Sequence, residues 1–310
     1  MRMTAMAQAL TATEAPTDEW DLTAIVEELR QSREIANNIR HRGVVRELPS
    51  RDVMARFLED ITAVLFPTHF GRTTLSDDSI DYFVGNSLAR ALTHLQDQLR
   101  RGLQFAPEAH EPAGDPKEKA REITRAFAQE LPAVRALLVS DLKAALSGDP
   151  AATSIAEILL CYRGITAIIH HRLAHALHRL GASLIARLIA DIAHAGTGID
   201  IHPGAEIGES FFIDHGTGVV IGETAIIGKR VRIYQAVTLG AKRFPTSADG
   251  TLVKGVPRHP IIEDNVVIYA GATVLGRVTV GRDSVIGGNV WLTHSVPPGS
   301  IITQAQAQNS

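Results

Sequence analysis

The chain lacks the residues that covalent cross-linking, secretion and membrane insertion require. Cys161 is the only cysteine among 310 residues, which excludes an intrachain disulfide and favours a reducing, cytoplasmic compartment. Residues 1–20 contain no hydrophobic core typical of a secretion signal. No uninterrupted apolar run approaches the roughly twenty residues that a membrane span needs. We therefore expect no membrane partner and predict a disordered tail over 1–20.

Excess charge is also missing. The formal net charge is −3 and the isoelectric point is near 6.5, so no long-range attraction draws the protein to nucleic acid. We expect no nucleic-acid partner. The residues around Cys161 are apolar with helical spacing, which predicts a buried and unreactive thiol rather than a nucleophile.

The sequence does contain a six-residue repeat of aliphatic residues between Ile201 and Pro297. This period fits neither an α-helix nor a simple hairpin sheet, and it indicates a parallel β-solenoid in which three hexads close one triangular coil. We predict about four stacked coils. The thirteen aliphatic positions are Ile201, Ile207, Ile213, Val219, Ala225, Val231 and Val237, then Ile262, Ile268, Val274, Val280, Ile286 and Leu292.

Residues that tolerate a positive φ recur three positions after many of these aliphatic residues, as tight solenoid corners require. Ile221, Ile227 and Ile233 fall between the repeat positions, and we expect them to form an exposed apolar wall that favours self-association. The predicted corner residues are Gly204, Gly216, Gly222, Gly228, Gly240, Asn265, Gly271, Asp283 and Asn289.

The region before the repeats has apolar residues at helical spacing. We therefore predict an α+β protein, with an N-terminal α-helical domain over 21–196 and a parallel β-helix of hexapeptide repeats over 197–303. The repeats stop between Gly240 and Ile261, which predicts a loop insertion at 241–260. A short tail at 304–310 follows. Prolines and glycine between Ala106 and Lys119 indicate a connector within the helical region.

Three histidines share one predicted helical face. His171, His175 and His178 are spaced i, i+4 and i+7, which is compatible with metal binding, but no carboxylate or cysteine is placed to complete a ligand set. Ordinary surface or interface histidines explain the same pattern. We predict no metal site.

One hexad carries ionisable groups where its neighbours carry bland turn residues. Asp214 and His215 lie side by side, and Asp200 precedes them by slightly less than one coil. Stacking then predicts contact between Asp200 and His215, so that the carboxylate orients the imidazole while its other nitrogen takes a proton. In the loop insertion, Arg258 offers a planar fork for a carboxylate and His259 a second donor.

Four motifs in order resemble serine O-acetyltransferase, within the hexapeptide-repeat acyltransferase superfamily. They are Asp200 to Pro203, Asp214 to Thr224, Val237 to Gly240 and Arg258 to Pro260, and the resemblance covers roughly residues 145–300. It implies a left-handed β-helix, a trimer or a dimer of trimers with sites between neighbouring subunits, and transfer of an acetyl group from acetyl-CoA to L-serine in cysteine biosynthesis. Acetyl-CoA is then a co-substrate, and no permanently bound cofactor is expected.

The resemblance also implies roles for individual residues. His215 is the general base, oriented by Asp200, and Asp149 with Asp214 holds the substrate ammonium. Arg258 binds the substrate carboxylate. His259 and Glu223 lie close to the substrate, and the acetyl-CoA contacts are Gly240, Ala241 and Ala270.

The chain departs from the family at its C-terminus. The family's tail ending in isoleucine is missing, so we predict no tail-mediated complex with the cysteine-forming sulfhydrylase. Three other functions share the solenoid. They are acetyl transfer to a sugar or antibiotic hydroxyl, the zinc chemistry of γ-type carbonic anhydrases, and a non-catalytic assembly module. Arg258 with Asp149 and Asp214 favours an amino acid acceptor, and the two-histidine zinc spacing is absent.

Overall fold

The computed structural model describes residues 20–34, 47–71, 76–104, 114–243, 246–247 and 249–304. The predicted tails at 1–20 and 304–310, except for Trp20 and Gln304, lie outside these ranges, and so does most of the predicted connector. The chain divides after Glu47 into two compact units. In the first unit, helix α1 (Leu22–Glu34) carries an ion pair between Arg30 and Glu27 at 2.6 Å.

The second unit begins with a set of packed helices. Ser50 caps α2 by accepting a hydrogen bond from the backbone N–H of Val53 at 3.4 Å. Pro116 begins α5 at its first position, where a backbone N–H would have no partner within the helix and its absence in proline costs nothing. Residues 116–119 are therefore helical and not part of a connector. The helices are α2 (Arg51–Leu65), α3 (Pro67–Phe70), α4 (Asp77–Leu103), α5 (Pro116–Gly148), α6 (Ile155–Cys161), α7 (Arg163–Arg179) and α8 (Ser183–Thr197).

The apolar faces of these helices form one core with the solenoid. Phe57 of α2 and Phe127 of α5 are fully buried, with ring centroids 6.1 Å apart. Within the described ranges, no helix combines the length and apolar character needed to cross a bilayer. The prediction of a buried Cys161 was wrong, because the thiol lies exposed at the end of α6.

After Thr197 the chain forms a parallel β-helix of three sheets. Sheet A has the strand order β1-β4-β7-β10-β13, sheet B the order β11-β8-β5-β2, and sheet C the order β14-β12-β9-β6-β3. The strands are β1 (Asp200–Ile201), β2 (Glu206–Ile207), β3 (Phe212–Ile213), β4 (Val220–Ile221), β5 (Ile226–Ile227), β6 (Arg232–Ile233), β7 (Thr238–Gly240), β8 (Ile261–Ile262), β9 (Val267–Ile268), β10 (Thr273–Leu275), β11 (Thr279–Val280), β12 (Val285–Ile286), β13 (Trp291–Leu292) and β14 (Ile301–Ile302).

The first coil is two residues longer than the second. Ile201 pairs with Ile221, twenty positions on, whereas Ile221 pairs with Leu239, eighteen positions on. The two extra residues fall between Ile213 and Ile221, so the repeat changes phase at this turn. The predicted exposed wall was therefore wrong: Ile221, Ile227 and Ile233 are at most 2% exposed and fill the interior of the prism.

The corner residues, most of them glycines, meet two different physical requirements: a positive φ, or space for a close neighbour. Asn265, Gly271, Asp283 and Asn289 have positive φ, as do His215 and Gly216. The prediction was wrong for Gly204, Gly222, Gly228 and Gly240, which are not among the positive-φ residues. Gly222 is required by close approach instead, since a Cβ there would lie 2.0 Å from the ring of His259.

Two of the three prism edges carry the chemistry predicted from the sequence. We call the turns between sheets C and A the C–A edge; they comprise 214–219, 234–237, 269–272 and 287–290. The turns between sheets A and B form the A–B edge; they comprise 202–205, 222–225, the described residues of 241–260, and 276–278. The loop insertion therefore enlarges the A–B edge.

Candidate active site

The C–A edge widens where Asp214 and His215 lie. His215 has φ 59°, a left-handed conformation that costs a non-glycine residue about 1–2 kcal/mol. Its side chain is 72% exposed, so packing in the core does not explain why a histidine occupies this position. Other corner residues such as Arg230 and Ala236 share this conformation, so it is the combination of strain with an exposed imidazole that makes His215 a candidate functional residue.

The backbone around His215 is stacked on the backbone around Asp200. Gly218 donates a hydrogen bond to the carbonyl of Gly198 at 2.8 Å, and Asp200 donates to the carbonyl of Val219 at 2.9 Å. The predicted contact between the Asp200 carboxylate and the imidazole is not formed in this chain: among the described residues no hydrogen bond or ion pair joins them. The imidazole extends into solvent instead, with Nε2 4.0 Å from Oδ1 of Asp214.

A buried carboxylate and an arginine hold the turn before His215. Asp214 is 8% exposed, and its Oδ2 accepts a hydrogen bond of 2.6 Å from Nη2 of Arg232. The other terminal nitrogen of Arg232 donates to the carbonyl of Gly148, the last residue of α5, at 2.5 Å. The end of α5 is thereby attached to the C–A edge.

Asp149 follows that carbonyl directly. The Tyr162 hydroxyl donates a hydrogen bond to its Oδ2 at 2.6 Å, and the Ala151 N–H donates to its Oδ1 at 2.8 Å. The hydrogen bond from Tyr162, and to a smaller extent that from Ala151, holds the pKa of Asp149 below its ordinary value. The same carboxylate raises the pKa of Tyr162 to about 12, so the phenol remains a donor at neutral pH.

The two carboxylates and the guanidinium at the C–A edge leave an unbalanced negative charge that can hold an ammonium group. Asp149 and Asp214 are two carboxylates and Arg232 is one cation, which leaves one net negative charge. A single ammonium ion neutralises that charge. The structure thus brings Asp149, Asp214 and His215 to one edge of the prism.

Glu223 and Arg258 form an ion pair on the A–B edge. Nη2 of Arg258 donates to Oε2 of Glu223 at 2.6 Å, and the Arg258 N–H donates to the Thr224 hydroxyl at 2.9 Å. Burial, the largest single effect, opposes ionisation of Glu223, but the hydrogen bond from Arg258 and the nearby charges of His202, Arg258 and His259 together hold the pKa of Glu223 below its ordinary value. Arg258 is thereby held in place with its guanidinium partly exposed.

His259 is fixed in one neutral tautomer beside Arg258. Its Nδ1 accepts the Thr224 N–H at 3.1 Å and lies 2.9 Å from the Thr224 hydroxyl, so the ring proton is on Nε2. Burial, and then the charge of Arg258, lowers the pKa of His259, which keeps the ring neutral. Behind it, Nη1 of Arg277 donates to the carbonyls of Thr224 and His259 at 2.6 and 3.1 Å.

The residues predicted to contact acetyl-CoA lie at the two ends of sheet A. Gly240 ends β7, pairs with Leu275 and is followed by half-buried Ala241. Ala270 lies in the turn before β10, and its carbonyl accepts a hydrogen bond from Asn289 at 2.9 Å. These positions are compatible with a ligand that extends along the prism.

The predicted site residues are therefore divided between two edges. Asp149, Asp214 and His215 lie at the C–A edge, whereas Glu223, Arg258 and His259 lie at the A–B edge. One strand of sheet A and its flanking turns separate the groups, and a six-residue face spans about 20 Å at full extension. A serine molecule is far shorter than this face, so one chain cannot present both groups to the same substrate.

Sequence reasoning missed four residues of these edges. Tyr162, Thr224, Arg232 and Arg277 all bind backbone or side chains of the predicted residues. Thr224 is the last residue of the motif from Asp214 to Thr224, so that motif could have indicated it. The others occupy ordinary positions at a helix end (Tyr162), on a strand (Arg232) and in a turn (Arg277), and only their packing reveals their contacts.

Three histidines of α7, His171, His175 and His178, line a cavity of about 780 Å³ between α5, α7 and the β-helix. His171 is buried, and Nδ1 of His175 lies 2.8 Å from the carbonyl of Pro203. In the part of the chain that the structure describes, no three histidine, cysteine or acidic residues are arranged to hold a metal ion.

The hexad coils place the chain among the hexapeptide-repeat proteins, and the family model for bacterial transferase hexapeptide (six repeats) matches residues 259–294. The plasmid serine acetyltransferase of Synechococcus elongatus is 59% identical over 269 residues, which cover 84% of this chain and 83% of the relative. The chain belongs to the serine acetyltransferase family.

Solved structures support the same assignment. Serine acetyltransferase isoform 3 of Entamoeba histolytica, crystallised with cysteine, is 36% identical with a TM-score of 0.67 and covers 91% of each chain. A serine acetyltransferase crystallised with CoA is 27% identical with a TM-score of 0.51, covering 81% of this chain and 95% of that one. The predicted α+β fold with a left-handed β-helix is confirmed, and so is the predicted family.

Proposed function

We propose that this protein transfers the acetyl group of acetyl-CoA to the hydroxyl of L-serine, giving O-acetyl-L-serine and CoA. The observation that carries the proposal is the juxtaposition of Asp149, Asp214 and His215 at the C–A edge. A base and an ammonium site side by side suit a hydroxyl two carbon atoms away from an amino group. A 59% identical relative is a serine acetyltransferase, which supports the same acceptor.

Substrate recognition requires both edges of the prism. The ammonium group of serine binds to Asp149 and Asp214, and its carboxylate binds to Arg258, which offers a planar fork for a carboxylate. Because the two edges are a prism face apart in one chain, the C–A edge of one subunit must face the A–B edge of a neighbour. We therefore propose a homo-oligomer, a trimer or a dimer of trimers, with one site at each edge-to-edge interface.

His215 acts as the general base, since histidine is the side chain that most often transfers protons in catalysis and the exposed ring is free to reach a hydroxyl. It takes the serine hydroxyl proton as the oxygen attacks the thioester carbonyl. The new C–O bond forms, the tetrahedral intermediate collapses, and the C–S bond breaks. His215 then returns the proton to the CoA thiolate, so no enzyme nucleophile is needed.

Asp200 is proposed to orient His215 once substrate and the neighbouring subunit enclose the imidazole. Its backbone already bonds to Val219, four residues after His215. His259 and Glu223 complete the carboxylate end of the site. His259 supplies a neutral Nε2–H donor, and Glu223 holds Arg258 until the substrate carboxylate arrives.

Acetyl-CoA is proposed to lie along sheet A, in contact with Gly240, Ala241 and Ala270. The structure of a relative with CoA supports a CoA site in this family. The absence of a permanently bound cofactor, the cytoplasmic location, and the lack of a tail-mediated complex with the cysteine-forming sulfhydrylase remain predictions. So does the expectation that neither nucleic acid nor membrane is a partner.

The acceptor is tested by release of free thiol from acetyl-CoA. L-Serine, a galactoside and chloramphenicol are compared as acceptors at equal concentration, with and without L-cysteine, which a relative binds in its crystal structure. Thiol release with L-serine alone supports the proposal. Faster release with the galactoside or chloramphenicol would assign the chain to another acceptor, and no release with any of them would favour a non-catalytic role.

A further inference from the structure

Arg232 lies where the end of α5 meets the C–A edge. It contacts both segments that carry the proposed ammonium site, which consists of Asp149 and Asp214. Nη1 donates to the Gly148 carbonyl at 2.5 Å, and Nη2 donates to Oδ2 of Asp214 at 2.6 Å. Asp149 is the residue after Gly148. A single guanidinium thus links the backbone beside one acidic residue to the side chain of the other, although the two acidic residues are 65 positions apart in the sequence.

Two aromatic rings hold this guanidinium in place. Its Cζ lies 5.1 Å from the centroid of the Phe212 ring and 4.7 Å from that of Tyr234. Only 25% of the Arg232 side chain is exposed. Cation–π contacts with both rings restrict the plane of the fork, so its two donors keep their directions.

We propose that Arg232 is a positioning residue for substrate amine recognition. It sets the separation of Asp149 and Asp214 and lowers the charge of their site to one net negative charge, matched to one ammonium ion. This inference rests on the proposed function, because it assigns the amino group of L-serine to that site. It adds a residue whose contacts, rather than any motif, reveal its role.

Charge and geometry are separable at this position. Lysine retains the positive charge, but its single ammonium cannot reproduce a planar fork aimed at two acceptors. Methionine removes the charge as well and leaves a side chain of similar length. Arg230, two residues earlier, offers a matched control, because its Nε bonds to Asn265 on another edge and it does not contact the ammonium site.

The experiment compares the wild type with Arg232→Lys, Arg232→Met and Arg230→Met in the full-length protein. Thiol release gives kcat and KM for L-serine and, separately, for 3-hydroxypropionate, which is serine without its amino group. We expect Arg232→Met to raise KM for L-serine about ten- to hundredfold, as loss of hydrogen bonds to a charged group predicts. Arg232→Lys should lie between it and the wild type.

The comparison of the two acceptors separates positioning from a general structural role. KM for 3-hydroxypropionate and kcat should change less than about threefold in Arg232→Met, whereas a misfolded protein would lose both acceptors equally. Arg230→Met should keep the wild-type ratio of the two KM values. An unchanged KM for L-serine in Arg232→Met, or equal losses for both acceptors in both Arg232 variants, would overturn the inference.

Failure of this inference differs from failure of the proposed function. If the wild type releases thiol with L-serine and Arg232→Met does so with the same KM, only the role of Arg232 is lost. If the wild type neither acetylates L-serine nor binds it in calorimetry, both proposals are wrong. Wild-type binding that weakens for L-serine but not for 3-hydroxypropionate in both Arg232 variants supports the inference independently of turnover.

Discussion

Replacing Gly222 by alanine tests the packing that fixes His259. A Cβ at Gly222 would lie 2.0 Å from Cδ2 and 2.1 Å from Nε2 of the His259 ring, well inside van der Waals contact. The ring must therefore move by about an ångström, which breaks its two interactions with Thr224. Overpacking costs about 1–3 kcal/mol, and each lost hydrogen bond costs about 1 kcal/mol. The sum predicts a destabilisation of about 3–5 kcal/mol.

The assay is the midpoint of thermal unfolding, Tm, followed by KM for L-serine. A loss of this size lowers Tm by about 6–20 °C in a unit of this length. Gly196→Ala is the matched control, since a Cβ there meets no atom within 4 Å, and alanine is the better helix former. The reasoning is refuted if Gly222→Ala keeps Tm within about 2 °C of the wild type.

Two further predictions concern the C–A edge and the response to pH. Tyr162→Phe removes a hydrogen bond to Asp149 and should raise KM for L-serine about fivefold with little change in kcat; a changed kcat alone would contradict this. Burial lowers the pKa of His170 and of His202 to about 4. Between pH 6.5 and 4 the unfolded chain therefore binds protons that the folded chain does not. Stability should fall as pH falls through this range, and calorimetry should record a lower Tm at pH 5 than at pH 7; equal Tm values would contradict the assignment.

The solenoid was predictable because its period is unlike that of any other secondary structure. The phase of the repeat was not predictable, because two extra residues between Ile213 and Ile221 displace it. Aliphatic residues still recur at six-residue intervals across the insertion, so the sequence pattern does not reveal the displacement. Val219 and Ile221 are both aliphatic and both buried, so composition cannot reveal which one ends the strand. Only backbone pairing settles the register, and it places the extra residues at the turn that carries His215.

Part of the candidate site was equally predictable. The turn at Asp214 and His215 and the segment at Arg258 and His259 are recognisable as motifs, because ionisable residues interrupt a pattern of small corner residues. Their separation onto two edges follows from the coil geometry, which spacing along the chain does not reveal. Arg232 escaped notice because an arginine on a strand is ordinary until its two acceptors are known.

The central claim is that His215 of one subunit and Arg258 of its neighbour form a single site, and mixing two inactive variants tests it most directly. His215→Ala and Arg258→Ala are each expected to lose thiol release with L-serine. Co-expressed in equal amounts, they should form oligomers in which about one quarter of the interfaces carry both native residues, and activity should return to about one quarter of the wild-type value. Activity no higher than that of either variant alone, in oligomers shown to contain both chains, would contradict the account.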